Sequence, residues 1–546
     1  MSKKYKLFLL SSLSGVLLAL AWPAIGGIAP LLLVGLVPLL FVEEYVYRNN
    51  EGNFFGYSFL CFLIWNSLSL WWMYCVSEGL PTKILVVCAA VLLNSTLMTI
   101  VFYLFHFTKR KIGGKEGYIG LIIYWLAFEY FHLNWELTWP WMTLGNGFAN
   151  YIRWTQWYEY TGVAGGSLWI MITNVIFFLL LKNGLTLKKS IRENRSLISV
   201  LSCIIVIPML ISWIIYENYE EKYNPVEIVV VQPNIDPYSE KYYGLSYKEQ
   251  LERLLKLAES KTGSTTTYIV APETALTESI WENRLESTYS INAIRVFIKE
   301  YPSLKFVTGV SSYRFFEPGE ELSETARKFG DSKGWYDAYN TAMQIDSSGN
   351  VQIYHKSKLV QGVEFMPFAT ILKPLEKYAL DFGGTTGSLC KQEEPGVFLS
   401  PDCPIKIAPV ICYESVYGEY VSGYIKKGAD LIFVVTNDGW WDDTPGYKQH
   451  FAYARLRAIE MRRSIARAAN TGISGFINQK GEVLQHTGWW KPAVIKETLN
   501  ANSELTFYAR FGDYIGRIAS FMGIFLFMYA IVLWLKKRKT SYPEEI

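Results

Sequence analysis

Long apolar runs constrain this chain more than any other feature, because a helix needs about 20 apolar residues to cross the ~30 Å core of a bilayer. Eight such runs lie near 6–22, 28–47, 55–75, 84–107, 118–132, 163–181, 196–216 and 515–535. The run at 118–132 is the weakest, since it is short and contains Glu129. The aromatic-rich segment 133–162 that follows it is either an interfacial aromatic belt or part of a lipid-facing cavity. We predict a polytopic α-helical membrane domain of about eight spans, with seven helices in residues 1–216 and an eighth in 513–536.

The basic residues of the connecting segments predict which way these spans run. If the spans alternate in direction, seventeen Lys and Arg residues lie on one side, and the short loops of the other side contain only Lys83 and Arg153. Cytoplasmic loops of membrane proteins carry an excess of Lys and Arg. Both termini are therefore expected in the cytoplasm, and residues 217–514 on the far side of the membrane.

Composition excludes several other classes of protein. Of the 546 residues, 51% are hydrophobic and 18% are charged, which is too apolar for a disordered chain. The net charge of +3 gives no reason to expect a nucleic-acid partner. Seven cysteines are too few for a disulfide scaffold, although a bond between Cys390 and Cys403 stays open. The five histidines lack the spacing of metal ligands, so we expect no metal and no cofactor.

Residues 226–500 have the pattern of an α/β domain. Short β-rich runs occur at Glu227–Gln232, Tyr268–Ala271, Lys305–Val310, Ala342–Asp346, Ile405–Ile411 and Asp430–Thr436, and helical patterns at 245–260, 287–300 and 448–463. Strands alternating with helices favour a layered domain with buried strands. We interpret the polar stretch 314–334 as a surface loop.

Residues with the chemistry of acyl transfer lie at the ends of these strands. Glu273 and Cys412 each follow a β-rich run within two residues, and Lys356 lies between them in sequence, shortly before Glu364. In α/β proteins the residues just beyond the carboxyl ends of strands form the site. A thiol must lose its proton before it attacks a carbonyl, so Glu273 is the candidate base for Cys412. The ammonium of Lys356 and the backbone N–H of Tyr413 are candidate donors to the developing oxyanion.

The sequence around these positions forms a set of motifs. They are Pro272-Glu273, Tyr354-x-Lys356-x-x-Leu359-Val360, Ile411-Cys412-Tyr413-Glu414, Tyr339-Asn340-x-Ala342, Thr436-Asn437-Asp438-x-Trp440, Gln449-His450, Arg467-Ala468-x-Asn470-x-Gly472 and, in the membrane part, Trp139-Pro140-Trp141. The set resembles the Glu-Lys-Cys motifs of the nitrilase (carbon–nitrogen hydrolase) superfamily, and within it the apolipoprotein N-acyltransferases of Gram-negative inner membranes. Seven spans before a nitrilase-like domain and one after it are also that family's layout.

The resemblance implies a fold, a place and a reaction. The fold is a nitrilase-like α-β-β-α sandwich over 226–500, on the periplasmic side of the bacterial inner membrane. The reaction moves an acyl chain from a phospholipid, typically phosphatidylethanolamine, through a thioester on Cys412 to the α-amine of a diacylglyceryl-cysteine apolipoprotein, the last step of lipoprotein maturation. Glu273 is implied as general base and Lys356 as oxyanion stabiliser. Three supporting positions also match: Glu364, which is implied to orient Lys356, and the neighbours of the nucleophile, Tyr413 and Glu414.

Some departures from the family and two other functions stay open. The chain has Gln361-Gly362-Val363 where the family usually has Pro-Phe-Gly before the glutamate. Lys358 competes for the role of the catalytic lysine, although the Tyr-x-Lys register favours Lys356. A membrane-tethered amidase or nitrilase that hydrolyses a small amide would need the same triad. A non-catalytic lipoprotein-binding scaffold would be expected to lack one member of the triad, and all three are present.

Overall fold

The structure is a computed structural model that describes residues 2–50, 53–75, 79–185, 188–301, 303–330, 334–368 and 388–539. These residues form two compact units. A helical unit lies within 1–74, 83–218 and 513–546, and an α/β unit lies within 75–82 and 219–512. The helical unit is therefore assembled from sequence on both sides of the α/β unit.

The helical unit consists of long apolar helices. In the described residues they are Lys3–Ala21, Val37–Asn49, Phe54–Leu70, Leu80–Lys111, Gly114–His132, Tyr158–Leu185, Arg195–Asn218 and Tyr514–Lys539. All but Gly114–His132 are long and apolar enough to cross a membrane, when the short 3-10 helices Ala29–Leu33 and Trp71–Cys75 are counted with their neighbours. The remaining helix carries Lys115, Glu116 and Glu129 within 19 residues. The predicted span at 118–132 is thus a helix, and its passage through the bilayer stays a prediction.

The aromatic segment after this helix is folded into the helical unit. It forms three 3-10 helices, Pro140–Met142, Leu144–Phe148 and Ile152–Trp154. Trp141, Leu144 and Phe148 are all buried. Glu129 Oε1 accepts hydrogen bonds from the Leu144 N–H and from the Trp125 indole, both at 2.8 Å. For these residues the interpretation as an interfacial belt is wrong, because their side chains pack inside the unit.

The last helix, Tyr514–Lys539, packs along Gly114–His132. A glycine makes the approach close, since a Cβ at Gly516 would lie 2.6 Å from the Cβ of Tyr130. Small residues at such contacts let membrane helices come near each other. The long helix that does not meet the length and composition of a membrane span is therefore covered on one side by a helix that comes much later in the sequence.

The α/β unit contains two β-sheets. Its strands are β1 (Pro225–Gln232), β2 (Tyr268–Val270), β3 (Leu276–Trp281), β4 (Lys305–Phe315), β5 (Arg327–Lys328), β6 (Trp335–Ile345), β7 (Val351–His355), β8 (Phe398–Ser400), β9 (Cys403–Ile411), β10 (Leu431–Thr436), β11 (Ile465–Ala469), β12 (Gly475–Ile477), β13 (Val483–His486) and β14 (Ala493–Asn500). The first sheet has the order β14-β1-β2-β4-β6-β5, with β3 beside β4 and β7 beside β6, and the second has the order β13-β12-β11-β10-β9-β8. β1, β2 and β4 run parallel, as do β9, β10 and β11, so the carboxyl ends of each group lie at one edge.

The two sheets face each other, and helices cover their outer faces. Tyr268 on β2 packs edge-on against Phe433 on β10, whereas its neighbour Ile269 points to the opposite face and joins the core beneath the helices. The outer helices are Tyr247–Glu259 and Tyr289–Lys299 on the first sheet, and Gly418–Lys426 and Pro445–Met461 on the second, with the short helix Phe507–Phe511 after them. This order of layers is the predicted α-β-β-α sandwich.

The six predicted strands are all present, but the prediction that residues 314–334 form a surface loop is partly wrong. β4 extends to Phe315, and Arg327–Lys328 forms the short strand β5 against β6. Positions 331–333 lie outside the described residues. A strand of two residues is too short to show the alternation of apolar and polar side chains by which a strand is recognised.

Candidate active site

Glu273, Lys356 and Cys412 each lie just beyond the carboxyl end of a strand. Glu273 comes three residues after β2, Lys356 follows β7 directly, and Cys412 follows β9 directly. The strands β2 and β7 belong to the first sheet and β9 belongs to the second. The three residues therefore lie between the sheets, where the ends of strands from both of them come together.

A network of hydrogen bonds joins two glutamates through one lysine and one asparagine. The Lys356 ammonium donates to Glu364 Oε1 at 2.8 Å and to Glu273 Oε1 at 3.1 Å. The Asn340 amide donates to the same two oxygens, at 2.8 Å each. The other oxygen of Glu273 accepts the Asn437 N–H at 3.1 Å. Asn340 and Asn437 stand in the motifs quoted above, yet the sequence alone gave them no role.

These contacts stabilise the charged forms of Glu273 and Lys356. Burial opposes ionisation of Glu273, but the Lys356 ammonium and the Asn340 amide bring the pKa of that carboxyl below its usual value. Burial also opposes the charge of Lys356, but Glu273 and Glu364 raise the pKa of its ammonium well above the ordinary value. The resting site therefore holds a carboxylate that can accept a proton and a fixed positive charge beside it.

Cys412 has a strained backbone and a protonated thiol. Its φ is +49°, in the left-handed region that residues other than glycine rarely adopt. Its side chain is buried at the start of the 3-10 helix Cys412–Val416. Burial raises the pKa of the Cys412 thiol, the charge of Glu273 raises it further, and the charge of Lys356 lowers it. The thiol needs a neighbouring base to become a nucleophile, and Glu273 is close enough to affect the pKa of the thiol.

Glu414 connects the loop after β7 to the end of β9. One of its oxygens accepts the Ser357 N–H at 2.7 Å and the Tyr354 hydroxyl at 2.7 Å. The other accepts the Ile411 N–H at 2.9 Å and the Tyr424 hydroxyl at 3.1 Å. Glu414 is fully buried, so it holds the chain before the nucleophile and the chain after the lysine at a fixed separation. This contact gives a structural reason for a glutamate next to the nucleophile.

The loop that departs from the family still delivers Glu364 to Lys356. Gly362 has φ +72°, and its N–H donates to the Phe365 carbonyl at 2.8 Å, which closes a tight turn. Glu364 Oε2 then accepts the Val360 N–H at 2.8 Å, while its other oxygen meets Lys356. The glycine stands one position earlier than in the usual family pattern, and the glutamate keeps its place.

Lys358, the competing lysine, is directed elsewhere. Its ammonium lies 5.4 Å from the ring centre of Tyr417 and 5.3 Å from that of Tyr420. Tyr413, the neighbour of the nucleophile, packs its buried ring edge-on against the same Tyr417. Within the described residues, the Lys358 ammonium therefore faces aromatic rings, whereas the ammonium of Lys356 contacts the two glutamates of the site, Glu273 and Glu364.

A second buried lysine, Lys241, stands near the base and was missed by sequence analysis. Its ammonium donates to the Thr274 hydroxyl, next to Glu273, and its carbonyl accepts the Gln250 amide at 2.7 Å. Burial lowers the pKa of Lys241 to about 8, and the charge of Glu273 acts in the opposite direction. The residue lies in a loop after β1, so no strand end or motif marked it.

We expect Lys241→Met to shift the pH dependence of thioester formation at Cys412. Without this cation the Glu273 carboxylate is less stable, so the pKa of Glu273 rises and the acid limb of the rate profile moves up by about one pH unit. Thr274→Val, which removes the hydrogen-bond partner and keeps both charges, is the matched control and should leave the limb in place. An acid limb that is identical in Lys241→Met and the wild type would exclude this role.

The remaining cysteines of the α/β unit take no part in these contacts. Cys390 and Cys403 are both free thiols, so the bond between them that the sequence left open is not formed. Cys403 accepts a hydrogen bond from the Tyr268 hydroxyl at 3.6 Å. Within the described ranges, no three His, Cys, Asp or Glu side chains are grouped so that they could hold a metal ion.

Comparisons with known proteins give two matching family models. Residues 14–176 match the apolipoprotein N-acyltransferase N-terminal domain, and residues 227–505 match the carbon-nitrogen hydrolase family. The chain is 32% identical to an apolipoprotein N-acyltransferase of Chlorobaculum tepidum over 544 residues, which cover 98% of this chain and 97% of the relative. It is 26% identical to the corresponding protein of Geobacter metallireducens, over 93% of this chain and 92% of the relative.

Among solved structures, one similar chain is Nit3 of Saccharomyces cerevisiae, a member of branch 10 of the nitrilase superfamily. It is 14% identical, with a TM-score of 0.37, over 51% of this chain and 90% of that chain. An amidase from Nesterenkonia is 16% identical, with a TM-score of 0.35, over 51% of this chain and 91% of that chain.

Proposed function

Because this chain belongs to the apolipoprotein N-acyltransferase family, we propose that Cys412 carries the acyl group as a thioester between its two substrates. The chain is a membrane acyltransferase that N-acylates lipoproteins, and the predicted nitrilase-like fold class is confirmed. One observation carries the assignment of residues. A buried carboxylate and a buried ammonium, Glu273 and Lys356, are paired at 3.1 Å, and their charges act on the thiol of Cys412, whose backbone is strained.

The first half of the reaction forms the thioester. Glu273 takes the thiol proton of Cys412, and the thiolate attacks the ester carbonyl of the donor. The Lys356 ammonium and the Tyr413 N–H stabilise the oxyanion that develops. When the ester C–O bond breaks, Glu273 returns the proton to the departing alkoxide. The products are an acyl-thioester and a lysophospholipid.

The second half moves the acyl chain to the lipoprotein. The α-amine of the N-terminal diacylglyceryl-cysteine attacks the thioester carbonyl, and the same two donors stabilise the oxyanion. Glu273 takes the proton that the amine loses and gives it to the departing thiolate, which regenerates Cys412. Because Cys412 is 9% exposed and Lys356 is 1% exposed, little water reaches the intermediate before the amine arrives.

We assign a phospholipid as donor, with phosphatidylethanolamine as its expected head group. An enzyme with helices long enough to cross a bilayer works where acyl esters are already concentrated. A small amide needs no such helices, and a binding scaffold needs no paired base and ammonium next to a thiol. The amidase and scaffold functions are for these reasons not favoured.

Mass spectrometry of the full-length protein tests this proposal. The protein is incubated with phosphatidylethanolamine in detergent and without acceptor. We expect the peptide that contains Cys412 to gain the mass of one acyl chain, and neutral hydroxylamine to remove it. An unmodified Cys412 in folded protein, together with hydrolysis of a small amide, would favour the amidase instead.

We also propose that the α/β unit faces the periplasm of a bacterial inner membrane and that both termini face the cytoplasm. The support is the excess of Lys and Arg in alternate connections. Exposed positions suit a labelling test with a membrane-impermeant maleimide on intact spheroplasts. In a chain whose four cysteines that are not buried, Cys75, Cys88, Cys203 and Cys390, are replaced by serine, Glu321→Cys should be labelled and Lys189→Cys should not. The reverse pattern would refute this orientation.

A further inference from the structure

A buried group of three charged or polar side chains lies behind the nucleophile. His450 Nδ1 is 3.0 Å from Asp438 Oδ1 and 3.0 Å from Arg467 Nη2. Arg467 Nη2 also donates to Asp438 Oδ2 at 2.6 Å. All three side chains are 0% exposed. We call them the Asp438–His450–Arg467 group; they belong to motifs that the proposed reaction does not use.

The other nitrogen of His450 contacts the backbone of the nucleophile. His450 Nε2 lies 3.2 Å from the carbonyl oxygen of Cys412 and 3.0 Å from the Ser415 hydroxyl. The Ser415 hydroxyl itself donates to the Cys412 carbonyl at 2.7 Å, so its oxygen faces His450 as an acceptor. His450 Nε2 therefore faces two acceptors and must carry a hydrogen.

The partners of Nδ1 agree with a neutral ring. Arg467 has only donors to offer, so its Nη2 can donate to Nδ1. If Nδ1 instead donates to Asp438 Oδ1, the hydrogen on Nε2 makes the ring an imidazolium. Burial and the charge of Arg467 lower the pKa of His450, while Asp438 acts against them. The lowered pKa favours the neutral ring, in which Nδ1 accepts from Arg467 and the hydrogen is on Nε2. In either protonation state Nε2 carries a hydrogen that it can donate to the Cys412 carbonyl.

We propose that the Asp438–His450–Arg467 group positions the peptide unit between Cys412 and Tyr413, and with it the oxyanion donor. A trans peptide is planar, with its C=O and N–H pointing in opposite directions. Because His450 and Ser415 hold the carbonyl of Cys412, the N–H of Tyr413 must point away from His450. The same two bonds oppose relaxation of the left-handed φ of Cys412.

The group is built from three rigid elements, which suits a positioning role. Asp438 follows β10, His450 lies on the helix Pro445–Met461, and Arg467 lies on β11. β10 and β11 pair in register along five residues. His450 is therefore a positioning residue: it acts on the acyl group only through the peptide that it holds.

Two substitutions that differ by one methylene test this inference, which rests on the proposed thioester chemistry. In His450→Gln the amide nitrogen reaches the place of Nε2 and can donate to the Cys412 carbonyl, whereas in His450→Asn it reaches only the place of Nδ1. Two rates are read on the Cys412 peptide by mass spectrometry: acylation by phosphatidylethanolamine, which needs the oxyanion donors, and alkylation by iodoacetamide, which does not.

We expect acylation to fall by about 100-fold or more in His450→Asn and by about tenfold or less in His450→Gln, with alkylation within about threefold of the wild type in both. Equal acylation in the two variants, whether fast or slow, would overturn the inference. A change in alkylation as large as the change in acylation would also overturn the inference. Such a change would come from the fold or from the thiol itself, because alkylation does not need the oxyanion donors. A wild-type protein that forms no thioester would instead refute the proposed function.

Discussion

Replacing Cys412 by alanine is expected to abolish N-acylation, with a loss of about 10⁶-fold, as when the nucleophile of a covalent enzyme is removed. No other thiol is placed to replace it, because among the described residues Cys412 is the cysteine that lies with Glu273 and Lys356 at the carboxyl ends of the strands. Neither the acyl-peptide nor the lysophospholipid should form. The measurement is the donor-only incubation described above, followed by transfer to a diacylglyceryl lipopeptide.

Cys403→Ala is the matched control for this substitution. Cys403 is also a buried free thiol, and it begins the same strand β9 at whose end Cys412 lies. Its loss should leave the rate of acylation close to that of the wild type. If Cys412→Ala still produced N-acylated lipopeptide, the thioester mechanism would be refuted. A loss of activity in both variants would point instead to damage of the strand.

Replacing Lys356 by methionine is expected to slow thioester formation by about 10³-fold or more, because a charged donor to the oxyanion is lost. A second effect acts in the same direction. Glu273 and Glu364 both accept from this ammonium, so without it two carboxylates share the Asn340 amide. One of them then takes up a proton, and a protonated Glu273 cannot act as base.

Lys358→Met is the control for the choice between the two lysines. The substitution removes an ammonium of the same loop, two residues away, which lies over the rings of Tyr417 and Tyr420. We expect less than about a threefold change, because this charge faces aromatic rings and does not contact Glu273 or Glu364 as Lys356 does. The reverse ranking of the two variants would mean that the motif was read in the wrong register.

The strands, and the positions of Glu273, Lys356 and Cys412 beyond the ends of strands, could be predicted because both leave local signals. Buried parallel strands are short apolar runs, and the residues that follow them are candidate site residues by position. Lys241 and Asn340 leave no such signal, since their roles come from contacts across the fold. The positive φ of Cys412 is likewise set by tertiary hydrogen bonds. The sequence does not indicate it, because the position is not a glycine, the residue that usually adopts a positive φ.

What the sequence left open or missed has the same origin. Segment 133–162 has the aromatic composition of an interfacial belt, but composition does not tell whether a tryptophan faces lipid or the interior of a helical unit. In the structure Trp141 is 1% exposed. The strand at Arg327–Lys328 was missed because its pairing with β6, rather than its own sequence, makes it a strand.

The late position of the last helix has a consequence for biosynthesis. Between the seventh and the last of the long helices lies the whole α/β unit, about 300 residues from Tyr219 to Gly512. A ribosome that adds about 5–20 residues per second needs about 15–60 s to make it. During that interval the helix Gly114–His132 is already part of the nascent bundle. The last helix, whose Gly516 lies against Tyr130, has not yet been made. The bundle is finished only after residues 219–512 have been made, so a chain that stalls in that interval lacks the helix that packs along Gly114–His132.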